Sequence, residues 1–448
     1  MIEYRNLRIA LLGGGAVGAQ VARILLEQGE ELADRVGAGL ELIGIAVRDV
    51  NAPRSVDLPQ ELFTTDAESL ILGADVVIEL IGGIEPARSY ILQAITSGAD
   101  VVTANKALLA AHGPELFAAA DQVGAQLNYE AAVAGAIPIV RPLRDSLAGD
   151  TVKRILGIVN GTTNFILDRM DQAGDSLQEA LDTATTLGYA EADPTADIEG
   201  YDAAQKAALL ARLAFHTDVP LESVYREGIT GITREQIESA RKAGYVVKLL
   251  AICERLTDAA TGQEGVSARV YPALVSRGHP LAAVHGGNNA VFVEAEAAGP
   301  LMFYGAGAGG VQTASAVLGD LVSLARRHVV GGPGFAAAAN ADLPVRDIGQ
   351  VITRYAVTLE VNDEPGVLAT IARVFSNHHV SLALVEQSTN VRAVLVDGGD
   401  GPELAPSTAT LVIGTHEATE AALAATVRDL AAHSVVTTVA SVLRVEGA

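Results

Sequence analysis

A glycine-rich turn near the N-terminus limits the possible folds of this chain more than any other feature. It follows an apolar run, Leu7–Leu12, and precedes a segment with helical spacing of apolar residues. Strand, G-x-G-x-x-G and helix in this order predict a Rossmann-type unit that binds a dinucleotide: the turn admits a pyrophosphate, and the helix N-terminus binds it. We expect five residues to contact the dinucleotide: Gly13, Gly15, Ala16, Val17 and Gly18.

The residue after the second strand bears on the choice of dinucleotide. NAD-specific folds place an Asp or Glu there, which binds the ribose 2′-hydroxyl. This chain has Arg48, followed by Asp49. A guanidinium can pair with a 2′-phosphate, so Arg48 favours NADP, with NAD as the alternative cofactor. Arg48 as an ordinary surface arginine is the other interpretation.

Two further strand ends carry polar or flexible residues. Gly82 follows the run ADVVIELI, and Thr103 ends the run ADVVT, with Asn105 and Lys106 shortly after it. Carboxyl ends of parallel strands meet at the edge where cofactors bind. We therefore expect Gly82, Thr103 and Lys106 to contact the cofactor, and Lys106 also to take part in catalysis. A solvated lysine is the alternative.

Length, charge and cysteine content exclude several classes of protein. The 448 residues suggest about three domains. The net charge of -23 argues against a nucleic-acid surface, which needs Lys and Arg to neutralise phosphates. The single cysteine, Cys253, allows no disulfide framework within the chain. The sequence shows neither the pattern of a signal peptide nor an apolar run of the ~20 residues that span a bilayer. We expect a cytoplasmic protein that binds neither nucleic acid nor membrane.

The stretch GYAEADPTADIEGYDAAQKAALLA, from Gly188, is the most informative for chemistry. Asp202 and Lys206 are four residues apart, so on a helix they share one face and form an ion pair. An apolar run follows Lys206, and a partly desolvated lysine held by Asp202 could act as general acid toward a carbonyl oxygen. Glu191 and Asp197 could bind a substrate ammonium. A solvated acidic loop is the alternative.

Two other segments have open interpretations. Glu130 is the only charge in LNYEAAVAGAIPIV, and it either caps a strand end or, with backbone carbonyls, binds a hard cation such as Na⁺ or Ca²⁺. In NGTTN, from Asn160, the hydroxyls of Thr162 and Thr163 either cap the following helix or face a ligand.

The pattern changes after residue 330. A Gly-, Pro- and Ala-rich start indicates a linker at 331–354. Alternating strands and two amphipathic helices then approximate the order βαββαβ. The turn Asn362–Gly366 precedes the first of these helices. A turn at Ser388 is expected to separate two strands. An extra strand or an irregular loop is expected around 391–407.

These residues resemble two known families. From about Leu7 to His328 the chain resembles homoserine dehydrogenases, and from about Tyr355 to Gly447 it resembles ACT regulatory domains, most specifically at DEPGVL. The first resemblance rests on GGGAVG at Gly13, TANKALLA at Thr103, NYEAAVAGAIPI at Asn128, NGTTNFIL at Asn160 and GYAEADPTADIEGYDAAQK at Gly188.

The resemblance implies an α/β protein with a Rossmann-type dinucleotide-binding domain, an α+β substrate and dimerisation domain, and a C-terminal βαββαβ ACT domain. The implied boundaries are 1–137 with 303–330 for the dinucleotide-binding domain, 138–302 for the substrate domain, 331–354 for the linker and 355–447 for the ACT domain. Gly307 and Gly309 would close over the nicotinamide side of the cofactor.

The resemblance also implies a reaction: hydride transfer between NAD(P)H and L-aspartate 4-semialdehyde, giving L-homoserine for threonine, methionine and isoleucine biosynthesis. Lys206 would donate the proton, Asp202 would orient it and Lys106 would lie between cofactor and substrate. The implied substrate contacts are Thr162, Glu191, Asp197, Asp202 and Lys206.

A cation, an effector and an assembly are implied as well. The Glu130 carboxylate and the carbonyls of Val133, Gly135 and Ile137 would bind a monovalent cation, expected to be Na⁺. Threonine would regulate the enzyme at the ACT domain of a homodimer or homotetramer. Two alternatives to this function stay open: a non-catalytic nucleotide sensor, and a dehydrogenase of another amino acid.

Overall fold

The computed structural model describes residues 5–258, 261–331, 341–390, 393–394, 403–404 and 408–447. The elements of the N-terminal part are β1 (Leu7–Leu12), α1 (Ala16–Glu27), α2 (Gly29–Val36), β2 (Leu40–Ala46), β3 (Phe63–Thr64), α3 (Ala67–Leu72), β4 (Val76–Glu79), α4 (Ala87–Thr96), β5 (Asp100–Thr103), α5 (Lys106–Val123) and β6 (Leu127–Asn128).

The central part contains α6 (Ala131–Ala134), β7 (Val152–Ile158), α7 (Gly161–Ala173), α8 (Leu177–Thr186), α9 (Thr195–Ile198), α10 (Tyr201–Phe215), β8 (Tyr225–Arg226), α11 (Arg234–Lys242), β9 (Tyr245–Thr257), β10 (Glu264–Ser276), β11 (Asn288–Ala295), β12 (Gly299–Ala306) and α12 (Gly310–Val330). The C-terminal part contains β13 (Ile352–Asn362), α13 (Val367–Asn377), β14 (Leu382–Asn390), β15 (Ala393–Val394), β16 (Glu403–Leu404), β17 (Thr408–Thr415), β18 (Ala418–Thr419), α14 (Glu420–Ala431) and β19 (Val436–Glu446).

The first sheet has the parallel order β3-β2-β1-β4-β5-β6. This is the strand order of a Rossmann fold, with the order reversing between β1 and β4. The carboxyl ends of β1, β4 and β5 therefore lie side by side. They carry the glycine turn, the residues after Glu79 and Thr103, so the sheet brings three of the predicted segments together.

The strands of the second sheet follow α6 in the chain. Strands β12, β11, β7, β9 and β10 lie in this order with antiparallel pairing. Helix α10 packs on this sheet through a face of small residues, among them Ala207 and Ala211, both fully buried. The close packing of these alanines lets α10 bring its first turns to the carboxyl end of β7.

The chain returns to the first domain later than the boundary at 303 implies. Residues 303–306 still pair with β11, because β12 runs to Ala306. Helix α12 then packs on α1, and its buried residues, including Val317 and Leu321, belong to the core of the first domain. The turn around Gly307–Gly309 thus joins the two domains.

The C-terminal part forms the sheet β19-β13-β17-β14 with α13 and α14 packed on one face, which confirms the order βαββαβ. The predicted turn at Ser388 is wrong. Strand β14 continues through it to Asn390, and Ser388 pairs with Thr410 of β17, because pairing outweighs the weak turn preference of one serine. Ala393–Val394 pairs with Glu403–Leu404, while the rest of 391–407 lies outside the described residues. Part of the predicted linker, 332–340, also lies outside them, and β13 begins at Ile352, inside the predicted linker.

Strand β19 joins the C-terminal sheet to the central one. It pairs in parallel with β10 through Ala273–Arg444, Leu274–Val445 and Val275–Glu446, which makes one eleven-stranded sheet.

The Glu446 carboxylate of β19 neutralises positive charge on the central sheet at this junction. Its carboxylate pairs with Arg154 of β7 and accepts a hydrogen bond from the Tyr271 hydroxyl at 2.6 Å. Arg269 is fully buried beside it and donates to that hydroxyl at 3.1 Å. Burial alone would raise the pKa of Glu446, but the guanidinium groups of Arg154 and Arg269 outweigh burial and lower it.

We expect Glu446→Gln to lower the free energy of unfolding by about 3–5 kcal/mol, because it removes one partner of a buried ion pair and leaves Arg154 and Arg269 with a single shared carboxylate, that of Glu254. Since the pKa of Glu446 is lowered by folding, its stabilisation is present above the ordinary value of 4.5 and is lost as the pH falls through the folded-state pKa. Denaturant unfolding at several pH values measures both effects.

Glu417→Gln is the matched control, since Glu417 pairs with Arg354 on the surface at 2.8 Å, and a surface pair contributes only ~0–1 kcal/mol. Equal loss of stability in the two variants would contradict the role given to Glu446.

Candidate active site

The glycine turn has the geometry that a bound pyrophosphate needs. Gly13 has φ +105°, and a Cβ there would lie 2.7 Å from the Leu80 carbonyl oxygen. A Cβ on Gly18 would collide with the Gly13 carbonyl oxygen, so that α1 packs directly on the turn. At Gly15, in contrast, a Cβ would meet nothing within 4 Å. The space above Gly15 and the exposed N-terminus of α1 at Ala16 therefore fits a phosphate group.

A cavity of about 630 Å³ extends from this turn to the end of β2. Arg48 is exposed in its lining. Arg54, which the sequence analysis missed, also lines it. The Arg54 guanidinium donates to the carbonyl oxygens of Asp49, Val50 and Ala52 at 2.7–3.2 Å and lies over the Phe63 ring. Arg54 thus holds the loop that follows Arg48.

Glu79, at the end of β4, organises the neighbouring strand ends. Its Oε1 accepts hydrogen bonds from the backbone of Ile81 and Gly82, at 2.8 and 3.1 Å, and its Oε2 accepts one from the Thr103 hydroxyl at 2.6 Å. Gly82 and Thr103 are thereby brought together at the cofactor edge. The sequence signal for Glu79 is a carboxylate in an otherwise apolar strand.

Asn105 fixes the start of α5. Its Oδ1 caps the helix at the Leu108 backbone, 3.1 Å away, while its Nδ2 donates to the Gly83 carbonyl oxygen at 2.7 Å. Lys106 follows directly, as the first residue of α5. The cap therefore determines where Lys106 projects.

Asp202 lies between two lysines. Its Oδ1 is 2.9 Å from Lys106 Nζ, and its Oδ2 is 2.8 Å from Lys206 Nζ. Asp202 and Lys206 face the same way from the first turns of α10, as their spacing predicts, whereas Lys106 comes from the first domain. The Lys206 side chain is 11% exposed and the Lys106 side chain 41%.

The two ammonium groups determine the charge state of this cluster. Burial alone would raise the pKa of Asp202, but Lys206 and Lys106 outweigh it and hold that pKa far below its ordinary value. Burial alone would lower the pKa of Lys106, but Asp202 and the more distant Glu191 raise it. The cluster is an ionised carboxylate with a cation on either side.

The end of β7 completes the surroundings of Lys206. The Val159 carbonyl oxygen accepts a hydrogen bond from Lys206 Nζ at 2.6 Å. Asn160 Nδ2 donates to Asp202 at 3.0 Å and to Asp197 at 2.6 Å. The contacts of Val159 and Asn160 in this site are with residues 37 to 47 positions away in the chain, which no local sequence pattern reveals.

The NGTTN segment caps its helix with an amide. Asn160 Oδ1, and neither threonine hydroxyl, accepts the hydrogen bond from the Thr163 backbone at 2.9 Å. The Thr162 hydroxyl instead donates to the Tyr189 carbonyl oxygen at 2.7 Å and so holds the acidic loop. Capping by the threonine hydroxyls is therefore wrong.

The other acidic residues differ in exposure. Asp197 is half-buried beside Asn160, and burial raises its pKa. Glu191 is exposed on the loop above. The structure thus brings Asp197 into contact with the Asp202 cluster, and Glu191 near it.

Gly307 and Gly309 lie at the junction of the domains. Gly307 packs against Gly135, where any Cβ would collide with the Gly307 carbonyl oxygen. Gly309, with φ +137°, precedes α12, and the next residue, Gly310, lies close to the Ala16 carbonyl oxygen at the start of α1. Both glycines are therefore near the dinucleotide turn.

The Glu130 carboxylate does not fit the predicted cation site. It is fully buried and accepts hydrogen bonds from the backbone of Ile139, Val140 and Arg141 at 2.5–3.0 Å. It also accepts one from the Arg141 guanidinium at 3.0 Å. A cation at this carboxylate would have to displace a positive charge. Within the described ranges no cluster of three or more His, Cys, Asp or Glu residues could hold a metal ion.

Asp320 of α12 binds the backbone of Glu130. Its Oδ2 accepts a hydrogen bond from the Glu130 backbone at 2.7 Å. Burial, followed by the charge of Glu130, raises the pKa of Asp320 to about 7. Glu130 and Asp320 thus fasten the segment that leads from the first domain into the second.

Three family models match the sequence. The model for homoserine dehydrogenase matches residues 138–322, that for the homoserine dehydrogenase NAD-binding domain matches 13–130, and the ACT domain model matches 355–430. A homoserine dehydrogenase from Mycobacterium leprae is 54% identical over 447 residues, with 99% of each chain covered. The chain belongs to the homoserine dehydrogenase family.

Solved structures give the same result. A homoserine dehydrogenase from Thiobacillus denitrificans is 36% identical and superposes with a TM-score of 0.87 over 99% of both chains. A hyperthermophilic archaeal homoserine dehydrogenase, solved in complex with NADPH, is 26% identical with a TM-score of 0.60, over 73% of this chain and 99% of its own. The chain is thus an oxidoreductase of this family with a Rossmann-type domain for a nicotinamide cofactor and a C-terminal ACT domain. Among the described residues, no helix is both long and apolar enough to cross a membrane.

Proposed function

We propose that this chain interconverts L-aspartate 4-semialdehyde and L-homoserine with NADP, and that Lys206 is the proton donor. The observation that carries the proposal is the position of Lys206: buried, paired with Asp202, and beside the cluster that Lys106 joins from the cofactor domain. A nucleotide sensor would have no use for a proton donor at this point.

Three N–H donors are available on the Lys206 ammonium. Asp202 and the Val159 carbonyl oxygen accept two of them. The third is directed to the carbonyl oxygen of the semialdehyde, and its proton moves from Nζ to that oxygen as negative charge develops there. The nicotinamide, when bound, supplies the hydride. The positive charge of Lys106 stabilises the same oxygen.

Acidic residues bind the ammonium group of the substrate. Glu191 and Asp197 carry the negative charge that the substrate ammonium requires, and Asp202 contacts the substrate while it orients Lys206. Thr162 holds the acidic loop through the Tyr189 carbonyl oxygen. The resemblance to homoserine dehydrogenases supports Thr162, Glu191, Asp197 and Asp202 as substrate contacts.

NADP is the proposed cofactor, with contacts from the glycine turn, Gly82, Thr103 and Lys106, and from Gly307 and Gly309 on the nicotinamide side. Two things support NADP over NAD: Arg48 stands where an acidic residue would bind a ribose hydroxyl, and the archaeal relative was solved with NADPH.

A monovalent cation, Na⁺, is proposed at the main-chain carbonyls of Val133, Gly135 and Ile137, without the Glu130 carboxylate. Carbonyl oxygens are hard ligands that suit such an ion, and the three residues are buried on one short segment that turns at Gly135, where φ is +63°.

Threonine is the proposed effector, bound at the ACT domain of a homodimer or homotetramer, in keeping with a place in threonine, methionine and isoleucine biosynthesis. The turn Asn362–Gly366 supports a site for an amino acid. It offers the Asp363 carboxylate to an ammonium group and the N-terminus of α13 to a carboxylate.

We expect Lys206→Ala to lower kcat for homoserine oxidation by about 10²–10⁴-fold, the range for loss of a general acid–base, and to leave the Kd for NADPH unchanged. Initial rates of NADP⁺ reduction and NADPH fluorescence titration measure the two quantities. Lys242→Ala, at an exposed lysine of α11, is the matched control. If the affinity of Lys206→Ala for NADPH fell by the same factor as its kcat, the role of Lys206 as proton donor would be refuted. If the parent protein oxidised another amino acid but not homoserine, the proposed substrate would be refuted.

We expect Arg48→Glu to reduce the ratio of kcat/KM for NADP to that for NAD at least tenfold, since it exchanges attraction for repulsion at the 2′-phosphate. Steady-state kinetics with both cofactors measure the ratio. Arg35→Ala, at an arginine of α2 outside the cavity lining, should leave the ratio unchanged. An unaltered ratio in Arg48→Glu would show that another residue selects the cofactor.

We expect L-threonine to inhibit homoserine oxidation, and Asp363→Ala to raise the inhibitory concentration at least tenfold, because the ammonium of threonine loses its carboxylate. Each protein is compared with its own rate without threonine, and D-threonine serves as the ligand control. If L-threonine inhibited Asp363→Ala at the same concentration as the parent protein, threonine binding at this turn would be refuted.

A further inference from the structure

Asn289 contacts the residue that holds the proposed proton donor. It is the second residue of β11 and is 1% exposed. Its Nδ2 donates to the Val159 carbonyl oxygen at 3.0 Å. The same oxygen accepts the hydrogen bond from Lys206 Nζ at 2.6 Å. One carbonyl group therefore connects the buried amide to the ammonium group.

The strand register explains why a side chain is needed here. Strands β7 and β11 are antiparallel, and their paired residues end at Ile158 and Ala290. Val159 and Asn289 would be the next pair. The Val159 carbonyl thus lies just beyond the ladder, where the Asn289 amide takes the place of a backbone donor.

The acceptor of this amide is left unpaired. Asn289 Oδ1 is buried and has no hydrogen-bond partner in the part of the chain that the structure describes. The reverse orientation of the amide would bring Oδ1 against the Val159 oxygen, two acceptors in contact. An unpaired buried acceptor is unfavourable, and a leucine of similar size would avoid it. The donor function of Nδ2 is therefore the reason for an asparagine at this position.

The amide also lies against the turn between the domains. A Cβ on Gly307 would collide with the Asn289 amide group. Gly307 begins the segment that leads through Gly309 to α12, close to the start of α1. Asn289 thus lies between the end of β7, which carries the Lys206 contact, and the turn next to the dinucleotide site.

We propose that Asn289 is a positioning residue for Lys206: by fixing the Val159 carbonyl, it directs the third proton of the Lys206 ammonium to the substrate oxygen. This inference rests on the proposed role of Lys206 as proton donor. Because Asn289 acts through Val159 and does not touch the substrate, its loss changes kcat and leaves KM for homoserine nearly constant.

The test compares Asn289→Leu with the parent protein. Leucine fills similar space without the donor or the unpaired acceptor, so we expect kcat to fall at least tenfold while the midpoint of thermal unfolding stays equal or rises. In semialdehyde reduction, we expect the alkaline limb of the kcat profile to move to lower pH, because the ammonium has lost a fixed acceptor. Asn288→Ala is the matched control, since Asn288 is the adjacent asparagine and its Nδ2 donates to His285, away from Val159.

Asn289→Ala serves as the second variant should leucine fail to fold, with the same expected fall in kcat and the same shift in pH profile. Lys206→Ala is measured in the same series. If Lys206→Ala is inactive while both Asn289 variants keep the parent kcat and pH profile, the positioning role is refuted and the proposed function stands. If Lys206→Ala keeps the kcat of the parent protein, Lys206 is not the proton donor, and the positioning role falls with that part of the proposed function.

Discussion

The carboxylate of Asp202 is the interaction on which the site depends. It lies within 3 Å of two ammonium groups that come from different domains, Lys106 on α5 and Lys206 on α10. Without it, two like charges would face each other, and the burial of Lys206, whose side chain is 11% exposed, would limit the screening of their repulsion by water. Asp202 thus connects α5 of the Rossmann-type domain with α10 of the domain that follows it.

Local patterns in the sequence predicted the elements of this arrangement that depend on near neighbours. The glycine spacing predicted the turn, since Gly13 and Gly18 are required by contacts within one strand–helix unit. The pairing of Asp202 with Lys206 followed from helical periodicity alone. The alternation of apolar residues predicted most strands of the C-terminal domain, because each strand has one buried face there.

Features that depend on distant neighbours were missed or wrong. Val159 acts on a group that is 47 residues away, so no local pattern reveals its role. The carboxylate of Glu79 stands out in an apolar strand, but its partner Thr103 is 24 residues away and is not evident from the local sequence. The family resemblance implied a cation at Glu130, and its residues alone left capping and cation binding open, whereas the fold supplies Arg141 and three backbone donors to its carboxylate. At Ser388 the pairing partner in β17 determined the conformation, in place of the residue's own preference.

The parallel pairing of β19 with β10 has a consequence for the design of shortened chains. A chain that ended before Ile352 would lack β19, and the backbone groups of residues 273–275 in β10 would form an open sheet edge. Such an edge is a template for pairing with other chains. Excision of the ACT domain would therefore expose a surface for self-association on the central sheet. In the intact chain, strand β19 of the ACT domain covers this edge of β10.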